Sequence, residues 1–434
     1  QPSAEAARLA VDAGALPCLC ERLEDVDAQT KAAATWVLGA IASHDAALAA
    51  SVADAGALTP LMLCLKEPSL PLRRVALSCF GSVGKHDQQL AEMVQKEGAV
   101  DAAIGMLSHR DPLLRRHACR LLALCCQHDA QCAGWIPQKA QKLLVSGLSG
   151  ADDETCQFAA ALLQSLARVS RPMASTLYDL GAVPPLVAQL QQVARGQAKG
   201  SPQAAAAALG HICDAQPDAA KAALEHGAIA VLASLLGSGD ASRLGQPPHV
   251  CAVLCACLGA LAAPEPTHTA PMVRAGCLHA MAHATLLARR PPRAAALAVA
   301  RGGFARVAER CAEGGEGAYE QLVWLVETLP FPSGGTAPAG ADEEEGPEDG
   351  GRHGEATVLA ALFKGLAALL AKEGSGEKRL DFVQRGALAH VQQATRGTAA
   401  LQAALKTLND VYPNQMVQAT DPKYETKLLD MIKA

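Results

Sequence analysis

Along most of the chain, apolar residues fall at three- and four-residue steps with polar residues between them. That is the spacing of helices with one buried face. No segment alternates apolar and polar residues as a strand does, so the sequence reads as all-α. The pattern is punctuated at a fixed interval. His44-Asp45, His86-Asp87 and His128-Asp129 recur 42 residues apart. Gly14, Gly56 and Gly98 keep the same step, with Ala140 at the next one. The text around these glycines reads VDAGALPCL, VADAGALTPL and VQKEGAVDAA. Further copies stand at Gly181, Gly227 and Gly276, and weaker ones at Gly302-Gly303 and Gly386.

Each copy predicts three helices. Asp45, Asp87 and Asp129 are N-caps of a short first helix, because a carboxylate accepts the orphan N–H groups of the first turn. The glycine ends that helix, since a left-handed residue closes a C-terminus at little cost when it has no Cβ. A second helix follows at Ala57 to Leu65, Ala99 to Leu107 and Ala182 to Leu190. After a polar or proline turn comes a longer third helix: Lys31 to Ala42, Leu72 to Val83, Leu114 to Cys126 and Cys156 to Val169. Three helices per 42 residues make an armadillo-type unit. One unit cannot bury its apolar faces alone, so the expectation is a right-handed superhelical solenoid of stacked armadillo repeats.

The interval lengthens to 46 residues from Gly181 to Gly227 and to 49 from Gly227 to Gly276. The additions fall at Ala194 to Pro202 and Gly237 to Pro248. The expected organisation is armadillo repeats over 1–330, degenerate after about residue 190. A disordered insertion over 331–355 follows, rich in Gly and Pro and carrying the acidic run Asp342-Glu343-Glu344-Glu345. Terminal armadillo-like helices over 356–411 resume at Ala356 to Lys372 and Leu380 to Val411. A non-repeat tail over 412–434 is read as a cap or a grip on a partner.

Composition sharpens this picture. Of 434 residues, 50% are hydrophobic but only 3% are aromatic, so the core must be built from Ala, Leu and Val. Small side chains suit closely packed helices. Lys and Arg number 38 against 43 Asp and Glu, a net charge of -5, which argues against nucleic acid as a partner. No apolar run reaches the roughly 18 residues of a membrane span, so no membrane partner is expected. The opening residues carry Glu5 and Arg8 and no signal-peptide core, and with no initiator Met the chain reads as a trimmed or partial product. The 15 cysteines form no CxxC pair and read as inert core thiols of a cytoplasmic protein.

No catalytic constellation is visible: there is no P-loop, GxSxG or HExxH, and no GxGxxG after a strand. The expectation is a non-enzyme with no catalytic residues, metal or cofactor. His279 and His283, one helical turn apart, lack a further ligand and read as ordinary helix residues. Gly314-Gly315-Glu316-Gly317 reads as a turn. The repeated histidines, His44, His86 and His128, read as hydrogen bonders at helix ends or between repeats.

Armadillo proteins that clamp extended peptides, such as importin-alpha, carry a Trp on the third helix and an Asn four residues later. AATWVLGAIA resembles that segment through Trp36, but Ala40 stands at the Asn position. In the following repeats the Asn position reads Ser82, Leu124, Leu166, His211 and Ala260. The Trp position reads Ser78, Arg120, Leu162, Ala207 and Ala256. The generic peptide clamp is therefore missing. A basic ladder is the candidate partner-binding surface: Lys31, Arg73 and Arg115 share one position, with Arg74 and Arg116 beside the last two. Stacked, they would suit an acidic surface such as a tubulin tail.

Three stretches resemble the sperm-associated antigen six family of ciliary central-apparatus proteins. The first is EDVDAQTKAAATWVLGAIASHDAALAASVADAGAL (Glu24 to Leu58). The second is LCLKEPSLPLRRVALSCFGSVGKHDQQLAEMVQKEGAV (Leu63 to Val100). The third is the tail, where Tyr412, Pro413, Val417, Pro422, Tyr424, Leu428 and Leu429 resemble that family's non-repeat C-terminus and are candidate contacts. The Ala- and Gly-rich composition suits a shorter algal paralog. The resemblance implies a scaffold of the motile-cilium axoneme that binds other central-apparatus proteins, armadillo-repeat proteins among them, with central-pair tubulin a further expected partner. The alternative is a soluble armadillo adaptor that binds peptides or cargo in the cytoplasm.

Overall fold

A computed structural model describes residues 3–128, 134–149, 152–198, 200–237, 247–264, 269–275, 277–282, 302–308, 310, 318–328, 349–372, 375–392, 399–412 and 417. Every regular element among them is a helix. The chain divides into two compact units, Gln1–Gln216 and Pro217–Ala434.

The first unit is a series of armadillo-type repeats. Its helices are α1 (Ala4–Asp12), α2 (Ala15–Arg22), α3 (Ala28–Ala42), α4 (Ala46–Asp54), α5 (Leu58–Lys66), α6 (Leu70–Gly84), α7 (Gln88–Lys96), α8 (Ala99–Met106) and α9 (Pro112–Cys125). They continue with α10 (Gln138–Gly147), α11 (Asp153–Val169), α12 (Arg171–Asp179), α13 (Val183–Ala194) and α14 (Gln203–Ala215). The caps are those the sequence implied. Asp45 and Asp87 accept from Leu48 N and Leu90 N, each at 2.8 Å. Asp129 lies outside the described residues. Gly98 turns the corner between α7 and α8 at φ 84°, and a Cβ there would meet only Met62 Cε at 3.9 Å. The demand for glycine at that corner is therefore conformational and not steric.

The long third helices pack in succession: α3 on α6, α6 on α9, α9 on α11 and α11 on α14. Leu38, Leu72, Leu77, Phe80, Leu114 and Leu121 are fully buried between them. Each such side chain contributes about 1.5–3 kcal/mol on leaving water. Small residues let the axes approach. A Cβ at Gly39 would lie 3.2 Å from Cys79 Cα, and one at Gly84 would lie 2.5 Å from Cys125 Sγ. An alanine- and glycine-rich sequence thus buys close helix contact where aromatics would hold the helices apart.

The second unit contains α15 (Pro217–Glu225), α16 (Ala228–Leu236), α17 (Pro248–Ala262), α18 (Thr269–Arg274), α19 (Cys277–Ala282), α20 (Ala318–Thr328), α21 (Asp349–Ala371), α22 (Gly376–Gln384), α23 (Ala387–Gln392) and α24 (Ala399–Asn409). Phe304, Phe363 and Phe382 are its largest fully buried side chains. Gly227 and Gly386 keep the left-handed corner, at φ 78° and 72°. Gly303 does not, because it lies at a close crossing: a Cβ on Gly259 would stand 2.8 Å from Gly303 Cα. The stretch from Leu380 to Val411 is broken at Gly386 and is not one helix. Helix α21 begins at Asp349, inside the segment read from sequence as the acidic insertion. The acidic run itself, Gly276, His283 and Gly314-Gly315-Glu316-Gly317 lie outside the described residues, as does the side chain of His279.

Candidate functional site

The first unit is tied together by two ladders that end on main-chain carbonyls. His86 Nε2 donates to Ala42 O at 2.7 Å, and His128 Nε2 donates to Gly84 O at 2.8 Å. His86 and His128 are inter-repeat hydrogen bonders, whereas His44 Nε2 is buried without a partner among the described residues. Beside them, Lys85 Nζ donates to Ser43 O at 2.6 Å, Gln127 Nε2 to Lys85 O at 2.8 Å, and Arg168 Nη2 to Gln127 O at 2.8 Å. Each donor reaches the carbonyl of its own equivalent one repeat earlier.

The basic ladder occupies an adjoining stretch of the same helices, and most of its charge is met within the chain. Lys31 pairs with Glu67. Arg74 grips Asp111 with two bonds, Nε to Oδ2 at 3.0 Å and Nη2 to Oδ1 at 2.8 Å. Arg116 reaches Asp152 at 2.6 Å and Glu154 at 2.7 Å. Arg8, which sequence reading did not include, makes the same kind of pair with Asp45 at 2.8 Å. Arg115 closes its own turn by donating to His109 O at 2.8 Å and Arg110 O at 3.2 Å. Arg73 is half-buried, and its Nε is buried without a partner among the described residues. Asp45, Asp111 and Asp152 also cap helices, so each carboxylate both starts a helix and holds the preceding repeat. Their backbone N–H bonds and arginine partners hold the Asp45 and Asp111 carboxyls below the usual range.

An open groove of about 330 Å³ runs across α3, α6 and α9. Thr35, Trp36, Gly39 and Ala40 form one side, Val75, Ser78, Cys79 and Ser82 the floor, and His117 and Arg120 the far side. The step of 42 places Trp36, Ser78 and Arg120 in one row, and they do line one groove. Trp36 is 60% exposed. Arg120 Nη1 donates to Ser78 Oγ at 3.4 Å. No carboxylate lines the groove, and none among the described residues pairs with Arg120. Burial, then the charges of Arg120, Arg116 and Arg74, push the His117 imidazole down from its usual range, with Glu154 opposing. His117 Nδ1 is buried with no partner among the described residues. Burial and then Arg120 likewise lower Lys85, whose Nζ sits on the Ser43 carbonyl at the groove's edge.

One sequence alignment needs correction. Leu162 and Leu166, aligned to the Trp and Asn rows, are both fully buried. The Arg168 rung shows that α11 runs one residue earlier, so Ala161 and Ser165 hold those rows. Ser165 Oγ donates back to Ala161 O at 3.1 Å as Ser82 Oγ donates to Ser78 O at 3.0 Å. Neither row contains Asn at the corrected positions.

In the second unit Tyr412 is buried and stacked on Phe382, with ring centroids 6.4 Å apart. Tyr319 OH lies 2.8 Å from Asp381 Oδ2 and 2.7 Å from Lys378 O, and burial followed by the Asp381 contact raises its pKa. Of the tail residues, Val417 is half-buried. Pro413, Pro422, Tyr424, Leu428 and Leu429 lie outside the described residues. Among the described residues no group of three or more His, Cys, Asp or Glu is placed to hold a metal. The described cysteines are unbridged, and burial raises the thiols of Cys79 and Cys119 to about 12, where they are poor nucleophiles. No single described helix is long and apolar enough to cross a membrane.

No protein-family model matches the chain, and no curated protein sequence does. Solved structures do. An engineered protein solved by the Northeast Structural Genomics Consortium is 20% identical, with a TM-score of 0.69 over 94% of this chain and 91% of its own. A second engineered protein is 26% identical, with a TM-score of 0.50 over 57% of this chain and 98% of its own. A designed armadillo repeat protein is 22% identical over 57% of this chain, at a TM-score of 0.49 that adds no weight. These likenesses bear on the fold alone. With the repeat geometry above, the fold class is all-α and armadillo-like.

Proposed function

We propose that this chain is a non-catalytic scaffold that binds other proteins along its repeats. The observation that carries this reading is the groove across α3, α6 and α9, where a Trp 60% exposed stands over small and polar side chains. An exposed aromatic beside an open groove is a common anchor for protein contacts. The armadillo-like array supports it further, since such repeats present long continuous surfaces to partners. We infer that the scaffold belongs to the cytoplasm of ciliated cells and, within it, to the central apparatus of the axoneme. There it would contact other armadillo-repeat proteins and central-pair tubulin. That finer reading rests on the resemblance of Glu24 to Leu58, Leu63 to Val100 and the tail from Tyr412 to the sperm-associated antigen six family.

The test is fractionation of tagged protein from a ciliated cell into matrix, salt-washed axonemes and central-pair-deficient axonemes. Retention in normal axonemes with loss from the deficient ones is the expected result. Full release into the matrix would overturn the axonemal placement and favour the second reading, a cytoplasmic peptide- or cargo-binding adaptor. Trp36, standing where peptide-clamping armadillo proteins carry theirs, is what keeps that second reading in view.

A further inference from the structure

The charges of the first unit are not evenly spent. Arg8, Lys31, Arg74 and Arg116 each end on a carboxylate of the following repeat. Arg120 ends on a serine hydroxyl at the long distance of 3.4 Å, in a groove with no carboxylate in its lining. His117 stands three residues earlier on the same helix, with Nδ1 buried and without a partner among the described residues. Ser78 already touches Arg120, and Lys85 approaches through the Ser43 carbonyl. A guanidinium, an imidazole and hydroxyl groups therefore converge on one groove, and Trp36 stands on the opposite side.

We propose that this groove is a recognition site for an acidic peptide segment of a partner protein, with Arg120 receiving a carboxylate, His117 flanking it and Trp36 packing against the peptide's aliphatic stems. This deepens the protein-binding reading above and rests on it. The argument is one of complementarity. A guanidinium with no carboxylate partner gains one when an acidic side chain enters the groove, and the same carboxylate favours the neighbouring imidazole only once that ring is protonated. A basic peptide would meet the same charges at a cost, which makes the site selective by sign. Nucleic acid fits less well, because the chain carries a net charge of -5 and the groove offers a single aromatic side chain for stacking. A bound carboxylate also favours the imidazolium of His117. The groups acting on that ring are Arg120 and Arg116 on its own helix, Arg74 from α6 and Glu154 from α11. Binding should therefore strengthen as pH falls from neutrality, with proton uptake at His117.

The experiment uses the full chain and fluorescein-labelled octaglutamate, octalysine, a phosphoserine peptide and a single-stranded oligonucleotide, each followed by anisotropy. Octaglutamate should bind, and octalysine should not. Arg120→Gln should weaken octaglutamate by about tenfold, the size of one charge-assisted contact, while Arg120→Lys retains most of the affinity. His117→Gln should remove the strengthening at low pH and leave affinity at neutral pH nearly unchanged. Circular dichroism melts establish that each variant is folded. Octaglutamate affinity that is indifferent to Arg120→Gln would overturn the proposal, as would stronger binding of octalysine, the phosphopeptide or the oligonucleotide. Those results leave the scaffold reading standing, because axonemal retention of the wild-type chain is measured independently. Loss of retention with octaglutamate binding intact would sink the axonemal placement and not the groove.

Discussion

The Nε2 of His86 lies 2.7 Å from the carbonyl oxygen of Ala42, a residue fully buried at the end of the preceding repeat's third helix. The carbonyl can only accept, so the ring carries its proton on Nε2. His44 holds the equivalent position one repeat earlier, but its Nε2 is buried with no partner among the described residues. His86→Ala should therefore cost about 1–2 kcal/mol by orphaning a buried carbonyl, and His44→Ala clearly less. Urea melts of the two variants check this, and equal losses would remove the ladder as the cause.

The helix crossings make a second expectation. Gly84→Ala would place a methyl against Cys125 Sγ, a short side chain with little room to turn. A loss of about 1–3 kcal/mol is expected, and Cys125→Ala in the same chain should recover part of it. Gly98→Val acts differently. Space is open there, but φ is 84°, so strain of about 1–2 kcal/mol should appear that no neighbouring substitution relieves.

Asp111 serves both Arg74 and the N–H of Leu114, the latter at 2.8 Å. Asp111→Ala should lose cap and ion pair together, about 1–2 kcal/mol. Arg74→Ala should lose only the partly exposed pair, about 0–1 kcal/mol. Thermal melts at low and high salt separate them, since only the ion-pair part is screened.

Stability should fall as pH drops below neutrality. Burial first, with nearby arginines, pushes His117 below its ordinary value of 6.5. Burial and then Arg168 lower His211 despite Asp214. Below about pH 6.5 the unfolded chain takes up protons that the folded chain refuses, so stability is lost until the folded pKa is passed. Above that pH both states are neutral at these rings and the effect vanishes. Melting points between pH 7 and 5 should show the decline, and the double variant His117→Gln, His211→Gln should flatten it.

Trp36 offers the complementary case. At 60% exposure it contributes little to the core, so Trp36→Ala should change stability by no more than about 0.5 kcal/mol. A large loss would show that the ring is structural and not presented to partners.

The fold was readable because its determinants are local. Gly98 must be left-handed, Asp87 must cap, and the three- and four-residue apolar steps must face inward, whatever lies elsewhere in the chain. The site was less readable. The ladder of Lys31, Arg74 and Arg116 looked free because its partners, Glu67, Asp111 and Asp152, lie a whole repeat away. Asp111 and Asp152 recur as caps of the third helix, but nothing in their spacing shows that an arginine of the preceding repeat reaches them. Arg120 was visible at the Trp row, but its significance depends on which other cations are neutralised. His117 gave no periodic signal, since Val75 holds its place in the repeat before. The slip at Leu162 and Leu166 arose from a repeat shorter by one residue, which only the Arg168 rung exposes.

The rungs at Lys85, Gln127 and Arg168 use three different side chains to reach one kind of acceptor, a main-chain carbonyl. Because a peptide group cannot be mutated away, this rung of each junction asks of its next module only a donor long enough to arrive. At these three positions the array should tolerate exchange of one long donor for another, while the glycine crossings and buried leucines beside them keep each junction particular to its own pair of repeats.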